Sequence, residues 1–238
     1  MKIRIRFSKT GKMKFIGHLD VMRYFQKAIK RAGIDIAYSQ GFSPHPIMSF
    51  ALPLGVGVTS DGEYVDIQVN STKSTAESIE ALNNVMVEGF KVTDYRLLAE
   101  GSKKGMTLVG SSDYIISIKE DQSFIPDKDM WEGIESKFYK ASEKIETYKK
   151  GKHGETFMDI KPIIFDLKAE FNNDDPKKST LSLRLGAGSK NNLKPYQVVE
   201  EAFKFFNVEY NKDYFQVHRI DLMNDEFVSL AELGDKIE

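Results

Sequence analysis

Ile3, Ile5 and Phe7 alternate with Lys2, Arg4, Arg6 and Ser8, the period of two that marks a half-buried strand. The period then changes: Leu19, Met22, Phe25, Ile29 and Ala32 recur at helical spacing, so a helix is predicted over 19–32, stopped by Gly33. Arg23, Lys27, Lys30 and Arg31 fall on its other side as a basic stripe. Short strands are predicted around 34–38 and 47–52, and Val65, Ile67 and Val69 mark a further alternating strand over 63–69. Ser74-x-x-Glu77 is a capping box, in which each side chain satisfies a free backbone donor, and it opens a helix with Ala76, Ile79, Leu82 and Val85 inward. Phe90–Leu98 closes the set as a strand.

Residues 100–111 are rich in Gly, Ser and Lys and read as a linker or long turn. A comparable series follows. Strands are predicted at 114–119, 163–171, 180–186 and 214–222, with helices at 129–142 (Trp131, Ile134, Phe138, Ala141) and from Pro195 to about 206. The expected fold class is α+β, two ferredoxin-like β-α-β-β-α-β units in tandem. The boundaries are 1–99 and 112–223, followed by an acidic peripheral tail over 224–238. Residues 143–162 are extra to this order, and no residue-level repeat relates the halves.

Hydrophobic residues make up 41% of the 238 and charged ones 29%, enough apolar surface for real cores and too much for overall disorder. The chain has no cysteine, which removes disulfides, thiolate zinc sites, thiol nucleophiles and cysteine-held iron–sulfur clusters. Its four histidines, His18, His45, His153 and His218, form no H-E-x-x-H pair, so no metal site is expected. No apolar run approaches the ~20 residues that span a bilayer, and the alternating start is unlike a signal peptide. The expected location is the cytoplasm, with no membrane partner. A net charge of −1 hides an asymmetry: residues 1–50 carry ten Lys/Arg against Asp20 and Asp35, a local +8. That segment attracts polyanions if its cations share a surface, and it is silent if later acids neutralise them.

Four segments are candidates for chemistry. In Tyr38-Ser39-Gln40-Gly41-Phe42-Ser43-Pro44-His45-Pro46 two prolines restrict the backbone around His45, and Ser43 adds a hydroxyl. Such a histidine suits a rigid turn, a phosphate or stacking contact, or general acid/base work. Lys12 and Lys14 precede Gly17-His18 at a helix start, where free amides suit a phosphate, although Asp20 competes for the same dipole and no P-loop spacing is present. Ser189 and Lys190 lie in a Gly-rich connection before the helix at Pro195, an anion site or a simple turn. Lys149 to Gly154 is a basic loop. The row Lys2, Arg4, Arg6 is open to two readings: an RNA-binding sheet face, or pairing across the sheet with Glu63, Asp66 and Gln68, which is favoured because a matching aromatic set is missing.

Arg23 to Gly33, Tyr38 to Pro46 and Leu52-Pro53-Leu54-Gly55-Val56-Gly57 together resemble the bacterial radical-SAM-linked family, and Asp159-Ile160-Lys161-Pro162 and Arg184 to Pro195 are similar to its later signatures. That family is a domain of unknown function encoded beside, or fused to, B12-binding-type radical-SAM proteins. The resemblance implies a radical-SAM partner and carries over no catalytic residue and no cofactor. The leading expectation is a noncatalytic accessory protein that binds RNA through Lys12, Lys14, His18, Arg23, Lys27, Lys30, Arg31, Ser43, His45, Ser189 and Lys190. One alternative is a metal-independent endoribonuclease using His45 or His18, by analogy with CRISPR repeat-processing enzymes on similar units. The other is a protein-interaction module docking through Phe42, Pro44 and Pro46 without RNA.

Overall fold

A computed structural model describes residues 1–151 and 154–238, without the side chains at 149–151 and 154–156. The chain is α+β and divides into two units: residues 1–111 with 219–238, and residues 112–218.

The first unit contains strands β1 (Lys2–Lys9), β2 (Met48–Phe50), β3 (Thr59–Gln68) and β4 (Phe90–Leu98), with helices α1 (His18–Arg31), α2 (Thr75–Asn83) and the short α3 (Gly105–Leu108). β1 is antiparallel to both β3 and β4, and β2 pairs antiparallel with β3, giving the order β4-β1-β3-β2. One face of this sheet buries Ile3, Ile5, Phe7, Val65 and Ile67 against Phe25 and Ile29 of α1 and Leu82 of α2. Phe7 and Phe25 meet with ring centroids 4.4 Å apart. The capping box forms as expected, Ser74 accepting from the Glu77 amide while Glu77 accepts from the Ser74 amide.

Several expectations need correction. Leu19 is 65% exposed, and the buried stripe of α1 is Val21, Phe25, Ala28 and Ile29. The helix begins at His18, and 21-25-28-32 tracks the 3.6 period better than a set starting at 19. Ala76 is exposed, and α2 instead buries Thr75 and Ser78, whose polar side chains face the unit. Thr75 Oγ1 donates to the Tyr95 carbonyl (2.8 Å) and accepts from the Ile237 amide (2.9 Å). Within the tail over 224–238, Ile237 packs on the core and Leu230 is buried.

The face bearing Arg4 and Arg6 is likewise not open. Arg4 is 2% exposed and donates from Nε and Nη2 to Asp66 Oδ1 (2.8 Å) and Oδ2 (3.0 Å). Arg6 stands 3.7 Å from Asp221, whose carboxylate also accepts from Tyr64 and Ser229. Pairing across the sheet is thus correct for Asp66, directly opposite Arg4 in the register. It is wrong for Glu63, because side chains alternate and Glu63 shares the face of Val65, not that of Asp66.

In the second unit β5 (Ser111–Ile118) leads to α4 (Lys128–Gly133), which continues as a π-helix over Ile134–Ala141. A hairpin of β6 (Glu146–Gly151) and β7 (Gly154–Asp159) follows, then β8 (Ile164–Glu170), β9 (Thr180–Gly186), α5 (Pro195–Phe205) and β10 (Phe215–Met223), which belongs to this unit as far as His218. The strand order is β10-β5-β9-β8. Trp131, Phe138, Leu183, Phe203 and Phe215 fill its core, with Trp131 Nε1 donating to the Thr180 carbonyl (3.3 Å).

Candidate functional site

Helix α1 sorts its residues by face. Its apolar stripe goes into the first unit, and Arg23, Lys27, Lys30 and Arg31 are all exposed. Arg23 pairs with Asp20 (3.3 Å) on the surface. Arg31 donates to the Val85 carbonyl (3.3 Å) and lies over the Tyr24 ring. Lys27 and Lys30, and Lys12 in the turn before the helix, have no carboxylate partner among the described residues. Lys14 stands 5.2 Å from the exposed Phe15 ring. Lys12, Lys27 and Lys30 therefore remain available to solvent, whereas Arg4 and Lys9 of the basic segment are buried.

The loop at 38–46 is closed by a bridge between Tyr38 and Pro46 and turns at Gly41, whose φ of +116° suits glycine. Phe42 and Pro44 are exposed and Pro46 is half-buried. The His45 amide donates to Ser39 Oγ (3.1 Å), and the ring Nδ1 lies 2.9 Å from the same oxygen and 3.3 Å from the Ser43 carbonyl oxygen. Two contacts on Nδ1 fix the ring and leave Nε2 as the nitrogen that can meet a ligand. The Ser43 side chain is exposed beside it.

His18 has a different surrounding. It is half-buried at the start of α1, edge-on to Phe50 at 5.4 Å. Beneath it lies a buried ionic cluster that sequence reasoning missed, formed by Lys9, Glu63 and Arg219. Arg219 Nη1 donates to both Glu63 oxygens (2.9 and 3.1 Å), and Lys9 Nζ donates to the Ile16 carbonyl (2.8 Å). Burial pushes the Glu63 carboxyl up, against the opposing charges of Arg219 and Lys9. Burial lowers the Lys9 ammonium, and Glu63 partly offsets it. His18 is lowered first by burial and then by the charge on Lys9. The cavity lined by His18, Lys9 and Glu63 measures about 10 Å³, the space of one water, so no substrate reaches this group. The cluster ties the start of α1 to the sheet. Parity is the signal that could have found it: Lys9 continues the inward series Ile3, Ile5, Phe7, and Glu63 begins the inward series Val65, Ile67, Val69.

Ser189 and Lys190 are exposed in the connection before α5, in the second unit, where the Leu193 amide donates to the Gly186 carbonyl (3.0 Å) and shapes the turn. Asp159 organises the segment Asp159-Ile160-Lys161-Pro162 by accepting from the Ile145 (3.1 Å) and Lys161 (3.0 Å) amides. Lys152 and His153 of the basic loop lie outside the described residues, as do the side chains of Lys149 and Lys150. Among the described residues no group of three or more His, Cys, Asp or Glu is placed to hold a metal ion, and no helix is long and apolar enough to cross a membrane.

A family model described as an uncharacterized protein conserved in bacteria (DUF2344) matches residues 2–195. No curated protein matches the chain.

Proposed function

The chain belongs to this conserved bacterial family, DUF2344, and from that premise we propose that it is a noncatalytic cytoplasmic accessory protein that binds single-stranded RNA and presents it to a radical-SAM partner enzyme. The observation that carries the reading is the outer side of α1. Arg23, Lys27, Lys30 and Arg31 stand within nine residues of helix, roughly 12 Å of rise, and among the described residues only Arg23 of these four has a carboxylate partner. Cations held on a rigid helix without counter-charges suit a phosphate backbone. Exposed rings are also at hand, from the turn before α1 (Phe15) and the loop at 38–46 (Tyr38, Phe42), and single-stranded RNA is bound by stacking on such rings. His45, with Nδ1 occupied, adds Nε2 as a hydrogen-bonding nitrogen and the ring as a stacking face. Lys12 and Lys14 extend the basic strip, and Ser189 and Lys190 are contacts of the second unit.

The radical-SAM partner follows from the family likeness, and the cysteine-free chain agrees with the cluster residing in that partner. In each unit one helix follows the first strand and another the third, and the orders β4-β1-β3-β2 and β10-β5-β9-β8 match each other. This supports reading the units as ferredoxin-like, with the β6–β7 hairpin as an insertion. Cleavage by His18 is disfavoured by its one-water cavity.

The test is ultraviolet cross-linking in native cells, followed by purification, sequencing of the attached RNA and identification of the proteins that come with it. RNA attached to peptides from 12–31 and 38–46, together with a radical-SAM enzyme, is the expected result. A chain that carries no RNA and keeps its protein partner through nuclease treatment overturns the RNA reading. It leaves Phe42, Pro44 and Pro46 as a protein-docking surface.

A further inference from the structure

The sheet face opposite α1 holds a feature that RNA binding does not use. The Arg4 guanidinium is gripped on one side by Asp66, through the Nε and Nη2 hydrogen bonds, and Asp66 Oδ2 is itself fixed by the Gly105 amide (2.7 Å). Gly105 suits this approach, since a Cβ there would stand 3.1 Å from Ala51 Cβ and 3.4 Å from Asp66 Oδ2. A planar guanidinium locked in this way leaves Nη1 directed away from Asp66. Nη1 is buried and has no hydrogen-bond partner among the described residues. Buried donors of this kind are almost always satisfied, so an orphan calls for an acceptor from elsewhere.

Arg4 also lines a cavity of about 370 Å³ in the first unit, a volume within the range of small-molecule sites. Its other walls combine apolar and charged groups. Leu98 and Leu233 supply the apolar lining, and Lys103, Glu232 and Asp235 stand at the exposed rim. The side chains of these three rim residues have no ion-pair partner among the described residues. A second cavity of about 410 Å³ shares Leu98 and Ala99 with the first, which extends the apolar floor.

We propose that this cavity binds a small zwitterion of the α-amino-acid class with an apolar side chain. The carboxylate accepts from Arg4 Nη1 and faces Lys103, the ammonium faces Glu232 and Asp235, and the side chain lies on Leu98 and Leu233. Other classes leave part of the site unmatched. A polyphosphate or RNA backbone meets two rim carboxylates. A simple amine gives Nη1 no acceptor. A simple carboxylate leaves both rim acids without a cation. The combination of one buried, unpartnered donor among the lining residues and two exposed acids selects a molecule carrying both charges.

The experiment is isothermal titration of the intact, RNA-free chain with L-leucine, compared with 4-methylpentanoate, which lacks the ammonium, and 3-methylbutylamine, which lacks the carboxylate. Saturable leucine binding is expected, with each truncated molecule at least about tenfold weaker, the loss that follows when a site's polar group is left unpaired. The double variant Glu232→Gln with Asp235→Asn changes only exposed side chains, so it keeps the fold. It should abolish the preference for leucine over 4-methylpentanoate. Arg4→Lys, checked for folding by circular dichroism, should weaken leucine and 4-methylpentanoate alike. No saturable heat with leucine at low-millimolar concentration overturns the proposal, and so does binding that the double variant leaves unchanged. Because no RNA is present, either failure leaves the RNA reading untouched.

Discussion

Replacing Glu63 by Gln removes the one carboxylate of the cluster beneath α1 while keeping its shape. Lys9 is 2% exposed and Glu63 and Arg219 are each 4% exposed, so the substitution removes the negative charge that faces both cations where water screens little. Breaking a buried pair by deleting one partner costs about 3–5 kcal/mol. The surface pair Arg23–Asp20, with side chains 72% and 64% exposed, supplies the control, because such pairs contribute about 0–1 kcal/mol. For a chain of this size each kcal/mol moves the melting temperature by about 2–4 °C, so Glu63→Gln should lower it by about 6–20 °C and Asp20→Asn by about 4 °C or less. Thermal melts followed by far-ultraviolet circular dichroism read both. The double variant Glu63→Leu with Arg219→Met should regain much of the loss, because apolar residues of similar volume replace a buried pair at little net cost. A Glu63→Gln melt indistinguishable from that of Asp20→Asn would refute the reasoning, since the cluster would then hold no coupled charge.

Replacing Lys27, Lys30 and Arg31 together by Ala should flatten the salt dependence of single-stranded RNA binding by about 0.7 log units per lost contact, about 2 in slope. Between 50 and 200 mM salt this amounts to about 20-fold, readable by fluorescence anisotropy, and an unchanged slope removes α1 from the interface. His18 is depressed below its unfolded value of 6.5, by burial first and Lys9 second. Its contribution to stability is therefore complete above pH 6.5 and is lost as pH falls through the depressed value, because the unfolded chain binds the proton more readily. Urea midpoints of wild type and His18→Asn should diverge between about pH 7 and 5, and parallel profiles exclude His18 as the source. Gly62→Ala would place a Cβ 2.6 Å from the Ile220 carbonyl oxygen, whereas at Gly55 the nearest atom is Val58 Cγ2 at 3.6 Å. The first variant should cost about 1–3 kcal/mol in a urea melt and the second far less, and equal losses would contradict the steric account.

The sequence alone was enough for the local elements, because their causes are local. Thr180–Gly186 and Phe90–Leu98 fall where the apolar alternation places them, and the Ser74–Glu77 box opens α2 because both partners lie within one turn. The basic stripe of α1 was equally legible, since helical spacing alone separates it from Phe25 and Ile29. Leu19 was misplaced because consecutive steps of three, 19-22-25, drift around the helix and carry Leu19 off the stripe of Val21, Phe25 and Ala28, and the hairpin of β6 and β7 carries no strong alternation that would announce it. What the tertiary structure decided is which charges remain free. Arg4, Lys9 and Lys27 look alike in the sequence, yet Arg4 is spent on Asp66, Lys9 is buried beside Glu63 and Arg219, and Lys27 stands in solvent. The partners of the first two lie more than fifty residues away along the chain. Strand register and side-chain parity bring them together, and those are properties of the assembled sheet that no window of neighbouring residues contains.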